Sequence, residues 1–158
     1  MTSLHANCVS VGGYGVLLRG PAGAGKSDLT LRLVDRNMAL LVGDDQIQLE
    51  TDGGVVTASP APQLAGLLHV THVGIVRRAY LSAVPLGLIV DLVPPNERTA
   101  LPLLPEPDTD LVCGVNLPRL SLCAFEDSAP EKLVCAAALV HKGEIVLPKP
   151  AAQGIVEG

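Results

Sequence analysis

The chain has 158 residues and a net charge of −5, with 48% hydrophobic but only 2% aromatic side chains. That length fits one domain, residues 1–158, with a core built from Leu, Val, Ala and Ile and no need of disulfide or metal staples. The acidic balance, the lack of any Lys or Arg run and the scarcity of stacking aromatics argue against a nucleic-acid partner.

In the first segment Val9 and Val11 alternate with small or polar residues, which predicts a strand turning at Gly12-Gly13 into a second one. The run Gly15-Val16-Leu17-Leu18-Arg19 fits a buried strand. It leads into Gly20-Pro21-Ala22-Gly23-Ala24-Gly25-Lys26-Ser27, which reads G-x-x-x-x-G-K-S, the pattern of a phosphate-binding loop. Glycine lets the backbone approach a polyphosphate, and the amide N–H groups then form an anion nest. Lys26 reaches the terminal phosphates, and the Ser27 hydroxyl suits Mg²⁺. Residues Ser27 to Arg36 predict a helix with Leu29 and Leu33 on one face, its N-terminus toward the phosphates and Asn37 at its end.

Ala39 to Gly43 predicts another buried strand, ending in Asp44-Asp45. Two carboxylates at the end of an apolar strand are costly unless they face cations. One helix and one strand separate them from the glycine loop, which brings them beside it. Gln46 to Glu50 alternates, Asp52-Gly53-Gly54 signals a turn, and Val55 to Thr57 returns, so the sheet is mixed. Pro60 and Pro62 punctuate a loop. Gly66 to Val76 is apolar with two histidines, and as a strand it places His69 and Thr71 on one face and His72 on the other. Residues 77–93 predict a small helix or turn and then a strand from Leu86 to Val93. The prolines of Pro94 to Asp108 predict an exposed connection. Leu111 to Leu122 reads as two short strands around Asn116 to Arg119. Ala129 to Lys142 reads as the last helix, with Pro130 in its first turn and Gly143 at its end. The core is expected over residues 5–142, with a frayed tail over 148–158.

Cys8, Cys113, Cys123 and Cys135 form no C-x-x-C pair and no metal-ligand spacing, so buried reduced thiols in a cytoplasmic protein are expected. No signal peptide is recognised at the N-terminus. The most apolar stretch, Leu86 to Val93, is short and holds Asp91, so no membrane span is expected.

Taken together, His5, Gly15 to Leu18, the glycine loop, Lys26-Ser27-Asp28-Leu29 with Leu31-Arg32-Leu33, and Leu41-Val42 with Asp44-Asp45 resemble the catalytic domain of HPr kinase/phosphorylase. Gly66-Leu67-Leu68, Val73 to Val76, Asp91-Leu92-Val93 and Leu117 to Leu120 extend the resemblance, which looks most like the short proteobacterial form. It implies an α/β fold whose mixed sheet and phosphate loop are similar to the nucleotide domain of phosphoenolpyruvate carboxykinase. It also implies an ATP- and Mg²⁺-dependent serine kinase that phosphorylates an HPr-like phosphocarrier and reverses the reaction by phosphorolysis, commonly as a hexamer. Carried onto these residues, Gly20, Pro21, Ala22, Gly23, Ala24, Gly25, Lys26 and Ser27 hold the nucleotide. Ser27 and Asp45 hold the metal, Asp44 takes the substrate proton, and His5 tunes Asp44. Where the family has Glu-x-Arg-Gly, this chain has His69-Val70-Thr71-His72. Loss of the arginine's fork and of the glutamate's hard oxygens bears most on phosphorolysis, which must hold an extra phosphate. Two rival readings are a nucleotide-sensing module without turnover and a kinase of the same fold for another hydroxyl substrate.

Lys26→Ala removes the loop's only cation. ATP affinity is expected to fall about tenfold or more. Equal affinity of wild type and variant by calorimetry would remove the phosphate-loop assignment.

Overall fold

Paired positive φ angles set the reversals of this chain. In the computed structural model, which describes residues 1–141, β1 (Thr2–Leu4) precedes β2 (Asn7–Val11), and β2 turns through Gly12 (φ 62°) and Gly13 (φ 87°) into β3 (Tyr14–Arg19). Both residues of such a two-residue turn need left-handed backbone to match the twist of the strands. The Gly20–Gly25 loop follows, then α1 (Lys26–Asp35). This helix ends as the sequence predicts: Asn37 takes φ 57°, its N–H donates to Val34 O (3.1 Å), and Met38 N–H donates to Leu33 O (2.9 Å). That paired pattern satisfies carbonyls the helix end leaves free.

Next come β4 (Leu40–Gly43), the hairpin of β5 (Ile47–Asp52) and β6 (Val55–Pro60), the hairpin of β7 (Leu67–Val70) and β8 (Gly74–Arg77), and the long β9 (Val84–Leu92). Then β10 (Thr109–Val112) pairs with β11 (Val115–Leu122), and α2 (Ala129–His141) follows. Nine strands form one mixed sheet along the path β1-β5-β6-β9-β3-β2-β4, with β11 and then β10 attached to β9. β9 runs parallel to β3 and to β11, while its first residues pair antiparallel with β6 at Thr57↔Pro85 and Ala58↔Val84.

β2 is antiparallel to both β3 and β4. It follows that β3, β4, β9 and β11 all point the same way. Their carboxyl ends share one edge with the amino end of β2. Residues 5–7, the glycine loop, Asp44-Asp45 and the segments after β9 and β11 therefore meet there, which is where open α/β sheets present ligand sites.

Both faces of the central strands are buried, so they read as continuous apolar runs. Val16, Leu18, Leu88, Val90 and Leu92 face Leu29 and Leu33 of α1 and Leu133 of α2. On the other face Leu17 and Ile89 pack with Val42, Ile47, Leu49, Val56 and Leu117. Full burial of such a side chain is worth about 1.5–3 kcal/mol.

Several expected boundaries move. The strands expected to break around Asn116 to Arg119 turn instead at Cys113 (φ 49°) and Gly114 (φ 80°), and Asn116 to Arg119 lie inside β11. Cys-Gly lacks the Asn or Asp that usually marks such a turn. Gly66 to Val76 is a hairpin rather than one strand, with His72 at φ 70° in its turn, so Thr71 shares no strand face with His69. Residues 78–83 hold no helix, and β9 starts at Val84. The expected connection after Pro94 is exposed and carries a 3-10 turn over Pro95–Ala100, with Leu103 98% exposed. Cys8 and Cys123 are buried as expected, but Cys113 and Cys135 are exposed. Lys142, Gly143 and the tail over 148–158 lie outside the described residues.

Near the carboxyl ends of β3, β9 and β11, Asp91 is the centre of an ion network. Arg19 donates to both its oxygens (2.7 and 2.9 Å), and Arg119 Nε donates to Oδ2 (2.5 Å). Arg19 also reaches Asp110 (2.8 Å), and Arg119 reaches Asp108 (2.7 Å). Burial works against the charge of Asp91, but the bonds from Arg19 and Arg119 outweigh it and hold its carboxyl below the usual range. A depressed carboxyl stabilises the fold above its unfolded value, near pH 4, and that contribution is lost as pH falls through the folded value. Asp91→Asn is expected to cost about 2 kcal/mol at neutral pH, after allowance for partial exposure. Urea denaturation as a function of pH checks this: the gap between wild type and variant should shrink below about pH 4. A gap that is independent of pH would remove the network from the account.

Candidate functional site

β3 delivers the glycine loop to the shared edge. Its first turn closes with Ala24 N–H on Pro21 O (3.0 Å), and Gly23 (φ 85°) and Gly25 (φ 95°) take left-handed backbone. A Cβ on Gly25 would also stand 2.8 Å from Ala124 Cβ and 2.9 Å from Phe125 Cζ. Position 25 therefore admits only glycine on two independent grounds. Pro21, Ala22 and Gly23 are exposed at the rim, and Ala24 is buried beneath them. Lys26 is 9% exposed and its Nζ lies on Gly20 O (2.5 Å) and Pro21 O (3.3 Å), folded back on the loop it follows.

Asp44 is 7% exposed at the end of β4. Three donors surround it: Asn7 Nδ2 at 2.7 Å and Ser27 Oγ at 2.6 Å on Oδ1, and the His69 backbone N–H at 2.9 Å on Oδ2. The bond from Ser27 joins the acidic pair to the glycine loop, as the order of elements predicts. The two do not lie on adjacent strands, however. β2 runs between β3 and β4, and its first residue fills the gap.

That residue, Asn7, carries no signal in the sequence beyond a polar residue at the start of a strand. It is fully buried, donates to Thr30 Oγ1 (2.9 Å) and Asp44, and accepts from the Asp45 N–H (2.8 Å). One side chain thus ties β2 to α1 and to both acidic residues.

Asp45 points the other way. It is exposed and adopts φ 69°, an uncommon conformation that Asp tolerates better than most residues. His5, expected beside Asp44, is instead 3.0 Å from Asp45 Oδ1 through Nε2, and both side chains are open to solvent. The oxygens of Asp44 are met by Asn7, Ser27 and the His69 N–H instead. His69 meets the site through its backbone, with its side chain exposed, and Thr71 and His72 sit in the hairpin turn.

The resulting donor set is Lys26, the amides around Gly25, the Ser27 hydroxyl and two carboxylates of unlike exposure. Hard oxygens from one hydroxyl and one or two carboxylates suit Mg²⁺ that also binds phosphate oxygens. No cluster of three or more His, Cys, Asp or Glu that could hold a metal ion occurs among the described residues. A separate cavity of about 700 Å³, lined by Ser10, Gly13, Asp35, Asn37 and Arg78, lies at the far end of α1 and shares no residue with this site.

A sequence model described as the HPr Serine kinase C-terminal domain matches residues 1–151. The chain belongs to that family. Over 77 residues it is 38% identical to an HPr kinase/phosphorylase of Exiguobacterium sp. AT1b, covering 48% of this chain and 24% of that protein. Over 76 residues it is 41% identical to the HPr kinase/phosphorylase of Streptococcus thermophilus LMD-9, with the same two coverages. The matched part is thus about a quarter of these curated relatives' length. The fold also superposes on a solved structure described as the HPr(Ser) kinase/phosphatase of Coxiella burnetii, with TM-score 0.73 and 28% identity over 90% of each chain. Among the described residues, no helix is long and apolar enough to cross a membrane.

Asn7→Leu keeps the volume but removes one of the three donors to Asp44 and the acceptor of the Asp45 N–H. It is expected to cost about 3 kcal/mol, because it leaves a buried carboxylate underbonded. Chemical denaturation showing less than about 1 kcal/mol would mean that water replaces the amide.

Proposed function

We propose that the chain is an ATP-dependent protein kinase that transfers the γ-phosphoryl group to a serine hydroxyl of an HPr-like phosphocarrier protein in the cytoplasm. The observation that carries this reading is the 2.6 Å bond from Ser27 to Asp44, which joins a glycine-rich loop to an acidic pair. Family membership and the two carboxylates of unlike exposure support it. A likeness to the nucleotide domain of phosphoenolpyruvate carboxykinase belongs to the same reading, as does assembly into a homo-oligomer such as a hexamer.

The loop Gly20 to Ser27 cradles the phosphates through the backbone N–H groups it leaves free, those of Pro21 and Ala24 excepted because proline has none and Ala24 donates to Pro21 O, and Lys26 moves from its carbonyls to the terminal phosphates. Mg²⁺, when bound, neutralises charge on the transferred group. Ser27 is the loop residue that would hold it. The division of labour implied by the family resemblance gave Asp44 the proton and Asp45 the metal; we propose the reverse. Asp44 is enclosed and bonded to the residue that would hold the metal, so it belongs on the metal side. Asp45 is exposed beside His5, where a protein substrate can reach it. The serine oxygen attacks the γ-phosphorus as its proton passes to Asp45, and the bond to the β,γ-bridging oxygen breaks to release ADP. His5 lies within reach to receive that proton in turn. With His69 and Thr71 in place of the family's charged pair, phosphorolysis is expected to be weaker than the forward reaction.

Labelled ATP and the host's HPr-like protein test the function directly, by mapping of the phosphorylated residue; absence of phosphoserine on the carrier would reject it. For the roles, Asp45→Asn is expected to slow transfer on the order of 10²-fold while Mg-ATP affinity persists. Asp44→Asn is expected to weaken Mg-ATP binding itself. Full turnover in Asp45→Asn together with intact Mg-ATP binding in Asp44→Asn would restore the opposite assignment.

A further inference from the structure

We infer that Phe125 is the platform on which the purine base of the nucleotide stacks. The inference rests on the nucleotide-binding reading above and adds the base side of that site.

Topology gives the direction. Along the shared edge the strand order is β4, β2, β3, β9, β11. The glycine loop follows β3, and Asp44-Asp45 lie on the β4 flank. A nucleotide whose terminal phosphate meets Lys26 and the acidic pair must run its ribose and base away from β4, toward the ends of β9 and β11. The residues after β11 are Cys123-Ala124-Phe125-Glu126.

Phe125 is the side chain presented there. Its ring lies against the last glycine of the loop, with Cζ 2.9 Å from where a Cβ on Gly25 would stand, and the residue is 47% exposed. Aromatic residues are scarce: one Phe, two Tyr and no Trp. Tyr14 packs on His141 with ring centroids 4.3 Å apart, and Tyr80 lies over Gly66. Of these three rings it is Phe125 that lies against the loop, and it leaves nearly half its surface open to solvent.

That exposure is built in, because both neighbours of Phe125 are clamped. Arg32 of α1 donates from Nη2 to Ala124 O and from Nη1 to Glu126 O (3.1 Å). The Glu126 carboxylate is held by Lys132 (2.8 Å) and Arg98 (3.3 Å). A ring held open beside a phosphate loop offers a stacking face at little ordering cost. Base–aromatic stacking needs only the π-face of the base.

The test uses the whole chain and two ligands. Phe125→Ala is expected to weaken ATP binding on the order of tenfold, while binding of magnesium tripolyphosphate, which has no base, stays unchanged by calorimetry. Phe125→Leu, which keeps cover over Gly25, should restore any stability lost in the alanine variant without restoring ATP affinity. Phe125→Trp places a single indole in a chain without Trp. Its emission should be quenched by ATP and unmoved by tripolyphosphate. If wild type binds both ligands and Phe125→Ala binds ATP as tightly as wild type, the platform is rejected and nucleotide binding stands. If wild type binds neither ligand, nucleotide binding itself fails, and the platform with it.

Discussion

A carboxylate enclosed at 7% exposure must be given hydrogen-bond donors by its surroundings, because burying it without them is costly. Asp44 obtains them from three separate elements: a side-chain amide at the start of β2, a hydroxyl at the start of α1 and a backbone N–H of β7. None of these is near it in sequence. To satisfy this one group, β2 must lie beside β4, α1 must bring its first turn over both, and the β7–β8 hairpin must close on α1. The same demand leaves Asp45 turned outward in left-handed backbone with His5 as its neighbour. Two adjacent residues of the same type thereby acquire opposite chemical character.

A second set of charges braces the other half of the edge. Arg19, Asp91 and Arg119 come from three neighbouring parallel strands and hold them in register, while Asp108 and Asp110 tie β10 and the segment before it to the same centre. The glycine loop emerges immediately after Arg19. Its base is thus fixed by ion pairs below and by Arg32's clamp on the β11–α2 connection beside it.

Much of this is legible in the residues. The glycine loop, its helix and the acidic pair are local features whose order in the chain dictates their meeting, and the Asp52 to Gly54 turn identifies the mixed sheet. Asn37 ends α1 because its chemistry suits that backbone. What escapes is non-local. Asn7 looks like any polar residue in a strand, since its partners lie 23, 37 and 38 positions away. The partner of His5 depends on which of two aspartates is enclosed, and that follows only from packing. The Cys113-Gly114 turn hides behind an apolar residue in a conformation that composition does not announce. The hairpin at His69 is equally hidden, because an unbroken apolar run reads as one strand until a left-handed His72 reverses it.

The placement of β9 bears on how the chain reaches this state. Four hairpins, β2–β3, β5–β6, β7–β8 and β10–β11, pair residues close in sequence. Three of them, β2–β3, β5–β6 and β10–β11, join one sheet only through β9, which pairs with β3, β6 and β11 at once. Local hairpins close quickly, whereas parallel pairing across some seventy residues must first overcome the entropy of a long loop. The pairing of highest sequence separation in the sheet, that of β3 with β9, thus falls on this one apolar strand. In the folded sheet β9 also covers the edge of β3, which without it would be a bare edge open to pairing with a strand from another molecule.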